Sequence, residues 1–62
     1  MAHFQIIFED EIHGMQINHF ENYDDAQDYW DTYADVPTCY AGGMIDLDDA
    51  EVIWEFGKEY LD

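Results

Sequence analysis

Basic residues are almost missing from this chain. Lys58 is the one cation among its lysines and arginines, set against 16 aspartates and glutamates in 62 residues, and the formal charge is −15 at pH 7. Affinity for DNA and RNA comes from lysine and arginine neutralising phosphates, so direct nucleic-acid binding is excluded. An anionic membrane surface is repelled by the same field. Cysteine is reduced to Cys39, which rules out an internal disulfide and gives no sign of an oxidising compartment. No apolar run approaches the roughly 20 residues of a membrane span, and no basic segment leads into an apolar one as in a secretory signal. The expected compartment is the cytoplasm.

Catalytic and metal-binding patterns are also scarce. There is no serine-centred elbow, no glycine-rich phosphate loop and no His-Glu-x-x-His helix. Cys39 and the three histidines match no local nucleophile signature, and Cys39 reads as a small buried thiol. Acid–base chemistry needs paired carboxylates in unlike surroundings inside a pocket, which a domain this short is not expected to enclose. Asp46-Leu47-Asp48-Asp49 opens like a calcium loop, but the sixth position lacks glycine and the twelfth is Gly57 instead of a glutamate. His3, His13 and His19 could gather at one end of a hairpin, at spacings that fit no structural zinc site. The expectation is a non-enzyme without metal or cofactor.

What the chain does have is aromatic side chains: four Phe, five Tyr and two Trp. Disordered acidic chains have few of these, so the composition predicts a folded single domain spanning residues 1–62. The negative charge lies far beyond the magnitude of about 2–8 usual for a small soluble domain. Solubility and adaptation to high salt are the plain explanations; attraction to a basic protein surface is the functional one.

Taken in order, Phe4, Ile6 and Phe8 alternate as a strand, and Glu9 to Gly14 closes an acidic turn, with Met15 to Phe20 as its antiparallel return. Asn22 then caps a helix, with Asp24 and Asp25 at the positive end of its dipole. Ala26, Trp30, Tyr33 and Ala34 make its inner face, and Asp24, Asp28, Asp31 and Asp35 recur along its outer one. Val36-Pro37 stops the helix. Thr38 to Ala41 reads as extended, Gly42-Gly43 as a turn, and Met44-Ile45 as the end of a third short strand. Asp46 is read as the cap of a second helix, Leu47 to about Leu61. Its inner positions are Ala50, Ile53, Trp54, Gly57 and Leu61; its outer ones are Asp48, Glu51, Glu55, Glu59 and Asp62.

Tyr23 to Trp30 and Leu47 to Trp54 align with coincident Asp, Asp, Ala and Trp; a shared helix-start rule explains this better than duplication. The predicted fold is α+β in the order β-β-α-β-α, two amphipathic helices packed on one face of a short antiparallel sheet. Its core is Phe4, Ile6, Phe8, Ile17, Ala26, Trp30, Tyr33, Ile53, Trp54 and Leu61.

Same-sign pairs one helical turn apart destabilise a helix by roughly 0.2–0.5 kcal/mol each, so an unmixed acidic row asks for a functional reason. At a rise of about 1.5 Å per residue, two such rows side by side would approach the charge per length of a DNA strand, which carries one phosphate every ~3.4 Å. The expected partner-binding residues are Asp24, Asp28, Asp31, Asp35, Asp48, Glu51, Glu55 and Glu59, with the acidic turn Glu9-Asp10-Glu11. In size, lack of cations and patterned acids, the chain resembles the small acidic inhibitors encoded by phages and mobile elements. These include DNA-mimic anti-restriction proteins, anti-CRISPR proteins and uracil-DNA glycosylase inhibitors. That resemblance implies inhibition of a basic nucleic-acid-binding protein by occupation of its groove. The rival expectation is a protein–protein adaptor contacting through Tyr23, Tyr29, Tyr40 and Tyr60, with the acids as a rim. Aromatic residues left exposed by so small a core would permit a homodimer, which the net charge opposes. Crowded carboxylates would make stability rise as the pH falls from neutrality.

Overall fold

The computed structural model describes residues 3–60. Two strands, β1 (Phe4–Asp10) and β2 (Gly14–Phe20), lead to one helix, α1 (Tyr23–Tyr33), followed by β3 (Cys39–Asp46) and β4 (Glu51–Phe56). The strands form a single antiparallel sheet in the order β2-β1-β3-β4. The predicted hairpin and first helix are present, with Gly14, the first residue of β2, at φ 74 where the turn closes.

The second helix is absent: its span is a tight turn followed by a strand. Asp46 does cap, but what it caps is the turn, its Oδ1 accepting from the backbone N–H groups of Asp48 (3.0 Å) and Asp49 (3.3 Å). The same local bond opens helices and turns alike. The following Glu51-Val52-Ile53-Trp54-Glu55-Phe56 is β-branched and aromatic, side chains that suit a pleated surface. Helical spacing of Ala50, Ile53 and Trp54 was compatible with this stretch, but pairing along β3 prevails. Ala50 turns the chain with φ 54, a conformation that usually announces itself through glycine or asparagine. The order is therefore β-β-α-β-β. The aligned Tyr23–Trp30 and Leu47–Trp54 segments thus share a sequence pattern and not a structure.

Gly42-Gly43 is likewise no turn; it lies within β3. A Cβ on Gly42 would stand 2.6 Å from Phe8 Cδ1 and 2.7 Å from Phe56 Cε1, and one on Gly43 would stand 2.6 Å from Tyr60 Cδ2. The missing side chains admit aromatic rings from opposite sides of the sheet.

Residues directly opposite each other in the register share a face. One face carries Phe4, Ile6 and Phe8 with Phe20, Asn18 and Gln16, and with Met44, Gly42, Trp54 and Phe56. Helix α1 covers this face. Ile6, Phe8, Ala26 and Met44 are buried, and Phe4, Phe20, Tyr29, Trp30, Ala34, Cys39, Ile53 and Phe56 pack around them. Trp30 tilts onto Phe8 at 5.1 Å between centroids and meets Phe56 edge-on at 5.8 Å. Three predicted core residues depart from expectation: Ile17 is 51% exposed, Trp54 48% and Tyr33 46%. Ile17 points from an edge strand to the face away from the helix, and Trp54 stands beside the helix, its indole N–H reaching Gln27 Oε1 at 3.3 Å. Tyr29 takes the inner position expected of Tyr33, stacking on Phe8 and Phe20. Leu61 and Asp62 lie outside the described residues.

Candidate interaction surface

Helix α1 begins as the sequence dictates. Asn22 Oδ1 accepts from the Asp25 N–H at 2.9 Å, and Asp24 and Asp25 occupy the first turn. With Ala26, Tyr29, Trp30 and Ala34 turned to the sheet, Asp24, Asp28 and Asp31 are left on the opposite, exposed side. Seven residues of helix separate the first from the last, about 10 Å along the axis. Asp35 falls beyond the C-cap, Ala34, so the helical row has three members and Asp35 extends it as an exposed turn residue. No cation among the described residues pairs with any of the four. The last turn of the helix holds no basic residue either, which leaves Asp31 against the negative end of the dipole.

The acids placed on a second helix are distributed differently. Asp48 lies in the β3–β4 turn, where its Oδ2 is 2.7 Å from His3 Nδ1. Glu51 and Glu55 are exposed on β4, an edge strand, and Glu59 is exposed beyond it. Glu55 accepts from the Tyr60 N–H at 3.3 Å. A second acidic row parallel to α1 does not exist. The chain enters α1 directly after Phe20, which pairs with Phe4, and Phe4 also pairs with Asp46. Asp24, Asp25, Asp46, Asp48, Asp49 and Glu51 therefore gather at one end of the sheet.

Within Glu9-Asp10-Glu11, only Glu11 is fully exposed. Asp10 is 8% exposed and accepts through both oxygens. Its Oδ1 accepts from the Ile12 N–H (2.7 Å) and the His13 N–H (3.1 Å), and its Oδ2 accepts from Thr38 Oγ1 (2.7 Å). The Thr38 hydroxyl first, then the two backbone donors, hold its carboxyl down to about 2 against the opposing effect of burial. This clamp ties the β1–β2 turn to the segment entering β3, and the Glu11 N–H donates to Thr38 O alongside it. Glu9 lies on the face away from the helix and receives Lys58 Nζ at 2.6 Å and the Tyr60 hydroxyl at 2.8 Å. These bonds lower its carboxyl, Lys58 most. Burial, then the bond to Glu9, pushes the Tyr60 phenol up. Glu9 and Asp10 thus hold the fold together, while Glu11 faces solvent.

The histidines do not assemble. His3 binds Asp48 at one end of the sheet, His13 approaches Asp10 at the other (3.4 Å), and His19 pairs with Gln5 Oε1 at 3.0 Å between them. Among the described residues no group of three or more metal-ligating side chains forms. A cleft of about 280 Å³ does exist, lined by Phe8, Asp10, His13, Gln16, Tyr33, Val36 and Cys39. It is open to solvent and lies between the C-terminal end of α1 and the β1–β2 turn. Its thiol is a poor nucleophile. Burial raises the Cys39 thiol, whose S–H donates to Ala41 O at 3.5 Å, and the His13 ring is directed at Asp10. No helix among the described residues is long and apolar enough to cross a membrane.

No family model matches this chain, and neither does any curated protein or solved structure.

Proposed function

We propose that the protein is a non-enzymatic inhibitor, encoded by a phage or mobile element, that occupies the basic nucleic-acid-binding groove of a host defence or DNA-processing protein in the cytoplasm. One observation carries this reading: the outer side of α1 presents Asp24, Asp28 and Asp31 with no cation paired to them among the described residues, while Lys58 is engaged by Glu9. The form of the mimicry is narrower than two parallel acidic rows. A single helical row leads to the acid-rich end formed by Asp24, Asp25, Asp46, Asp48, Asp49 and Glu51. A groove lined with lysine and arginine accepts this arrangement by the electrostatics that accept phosphates, with gains chiefly in association rate.

The adaptor alternative loses contact residues. Tyr29 is turned into the core and its hydroxyl accepts from Asn18 Nδ2 at 2.8 Å, and Tyr60 donates to Glu9. Tyr23 and Tyr40 remain exposed.

The test starts from bacterial proteins captured on the immobilised chain. Those retained should be displaced by duplex DNA, and their binding should weaken steeply as salt rises. Replacing Asp24, Asp28 and Asp31 together by Asn should lower affinity at least tenfold while leaving the fold intact. Failure of DNA to compete, or unchanged binding by the triple variant, would refute the proposal.

A further inference from the structure

The sheet ends in two edge strands, and the sequence treats them differently. β4 carries Glu51 and Glu55, and the register shifts between Met44 and Ile45 where β3 meets it. Charges and bulges of this kind keep other strands from pairing with an edge. β2 has neither. Gly14-Met15-Gln16-Ile17-Asn18-His19-Phe20 contains no Asp, Glu, Lys or Pro, and pairs with β1 in unbroken register. In a chain of net charge −15, this neutral strand stands out.

β2 has one neighbour, so half of its backbone N–H and C=O groups point away from the sheet. Helix α1 covers its inner face, where Asn18 bonds Tyr29; among the described residues no strand pairs with its outer margin. Met15 and Ile17 are 57% and 51% exposed on the face away from the helix. Exposed acids lie just beyond both ends: Glu11 before the strand, Asp24 and Asp25 after it.

We propose that β2 takes up an extended segment of a basic partner protein as a fifth, edge-added strand. The segment would have apolar side chains at alternate positions, packing over Met15 and Ile17, and lysine or arginine just outside the paired stretch. Backbone bonding supplies affinity and the alternate side chains supply selectivity. A second copy of this chain is the poorer occupant. Antiparallel pairing centred on Ile17 would set Glu11 of one copy against the acidic helix start of the other, joining two strongly negative molecules. The inference deepens the function proposed above and rests on it only for the positive charge of the partner.

The probe is a synthetic peptide of alternating valine and threonine flanked at each end by a pair of lysines, titrated into the isotope-labelled full chain. A control peptide has the same side chains but carries N-methyl groups on alternate backbone nitrogens. The expected result is shifted resonances and slowed amide exchange across Gly14–Phe20, with the control binding roughly tenfold or more weakly at equal salt. Equal binding by both peptides, with shifts confined to the α1 acids, would overturn the strand addition while leaving the acidic-ligand reading standing. Absence of binding at low salt would also overturn it. So would a dimer in sedimentation with β2 amides already protected in the chain alone.

Discussion

Asp10 shows how much a single carboxylate can be asked to do in a chain of this length. It closes the β1–β2 turn and holds Thr38 across it, with three donors on two oxygens. Asp10→Asn keeps the shape but removes the charge and one acceptor, and should lower the melting temperature by several degrees, measured by circular dichroism. The sign of its pH dependence follows from the lowered titration. A carboxyl that titrates near 2 when folded, below its ordinary 3.8, favours the native state at higher pH and loses that contribution as pH falls through the folded value. Glu9, also lowered by its partners, acts in the same sense. Acid titration of the melting temperature should therefore show a decline from about pH 4 toward pH 2. These two carboxyls act against the rise in stability on acidification that crowded carboxylates predict. Ala50 is the counterpart, a residue in the wrong conformation for its type. At φ 54 its Cβ is strained, so Ala50→Gly should stabilise the chain by roughly 0.5 kcal/mol in urea unfolding. That value is strain relief of about 1–2 kcal/mol, less the added freedom of the unfolded glycine.

At the scale of elements, β3 is the strand on which the fold depends, and its glycines can be told apart by mutation. Gly42→Ala drives a methyl into Phe8 and Phe56, both packed in the core, and should destabilise by about 1–3 kcal/mol or more, as overpacking does. Gly43→Ala meets the Tyr60 ring first, which can swing outward at the expense of its bond to Glu9. Its smaller loss should be read by chemical denaturation of both variants. These two glycines also mark where the sequence was hard to read. The hairpin and α1 were legible because Phe4, Ile6 and Phe8 alternate and because Asn22 and the first-turn acids give an unambiguous helix start. Gly42-Gly43 imitates a turn, since nothing local reveals that rings from Phe8, Phe56 and Tyr60 fill the space. Asp46 imitates a helix cap, and Ala50 conceals the turn that follows. Of the candidate surface, Asp24, Asp28 and Asp31 were legible as one exposed row. The burial of Asp10 was not, because its partner Thr38 is distant in the sequence.

For the molecule as a whole, the governing quantity is charge against size. The chain extends 30 × 25 × 15 Å with a formal charge of −15. At about 0.01 M salt the screening length is roughly 30 Å, so every carboxylate interacts with every other; at 0.15 M it is about 8 Å and only neighbours do. Self-repulsion should thus depress the melting temperature at low salt, and adding sodium chloride from 0.01 to about 0.15 M should raise it before the effect levels off. A flat response would mean that the acids are compensated in ways the ion pairs of Lys58 and the histidines do not supply. Against this background the one lysine has a practical consequence. Lys58, held by Glu9 and lying 5.2 Å from the centroid of the Tyr60 ring, is the only residue after which trypsin can cut. Cleavage there would sever Tyr60 from the sheet it covers, so the rate at which the clipped chain accumulates would time how often that corner opens.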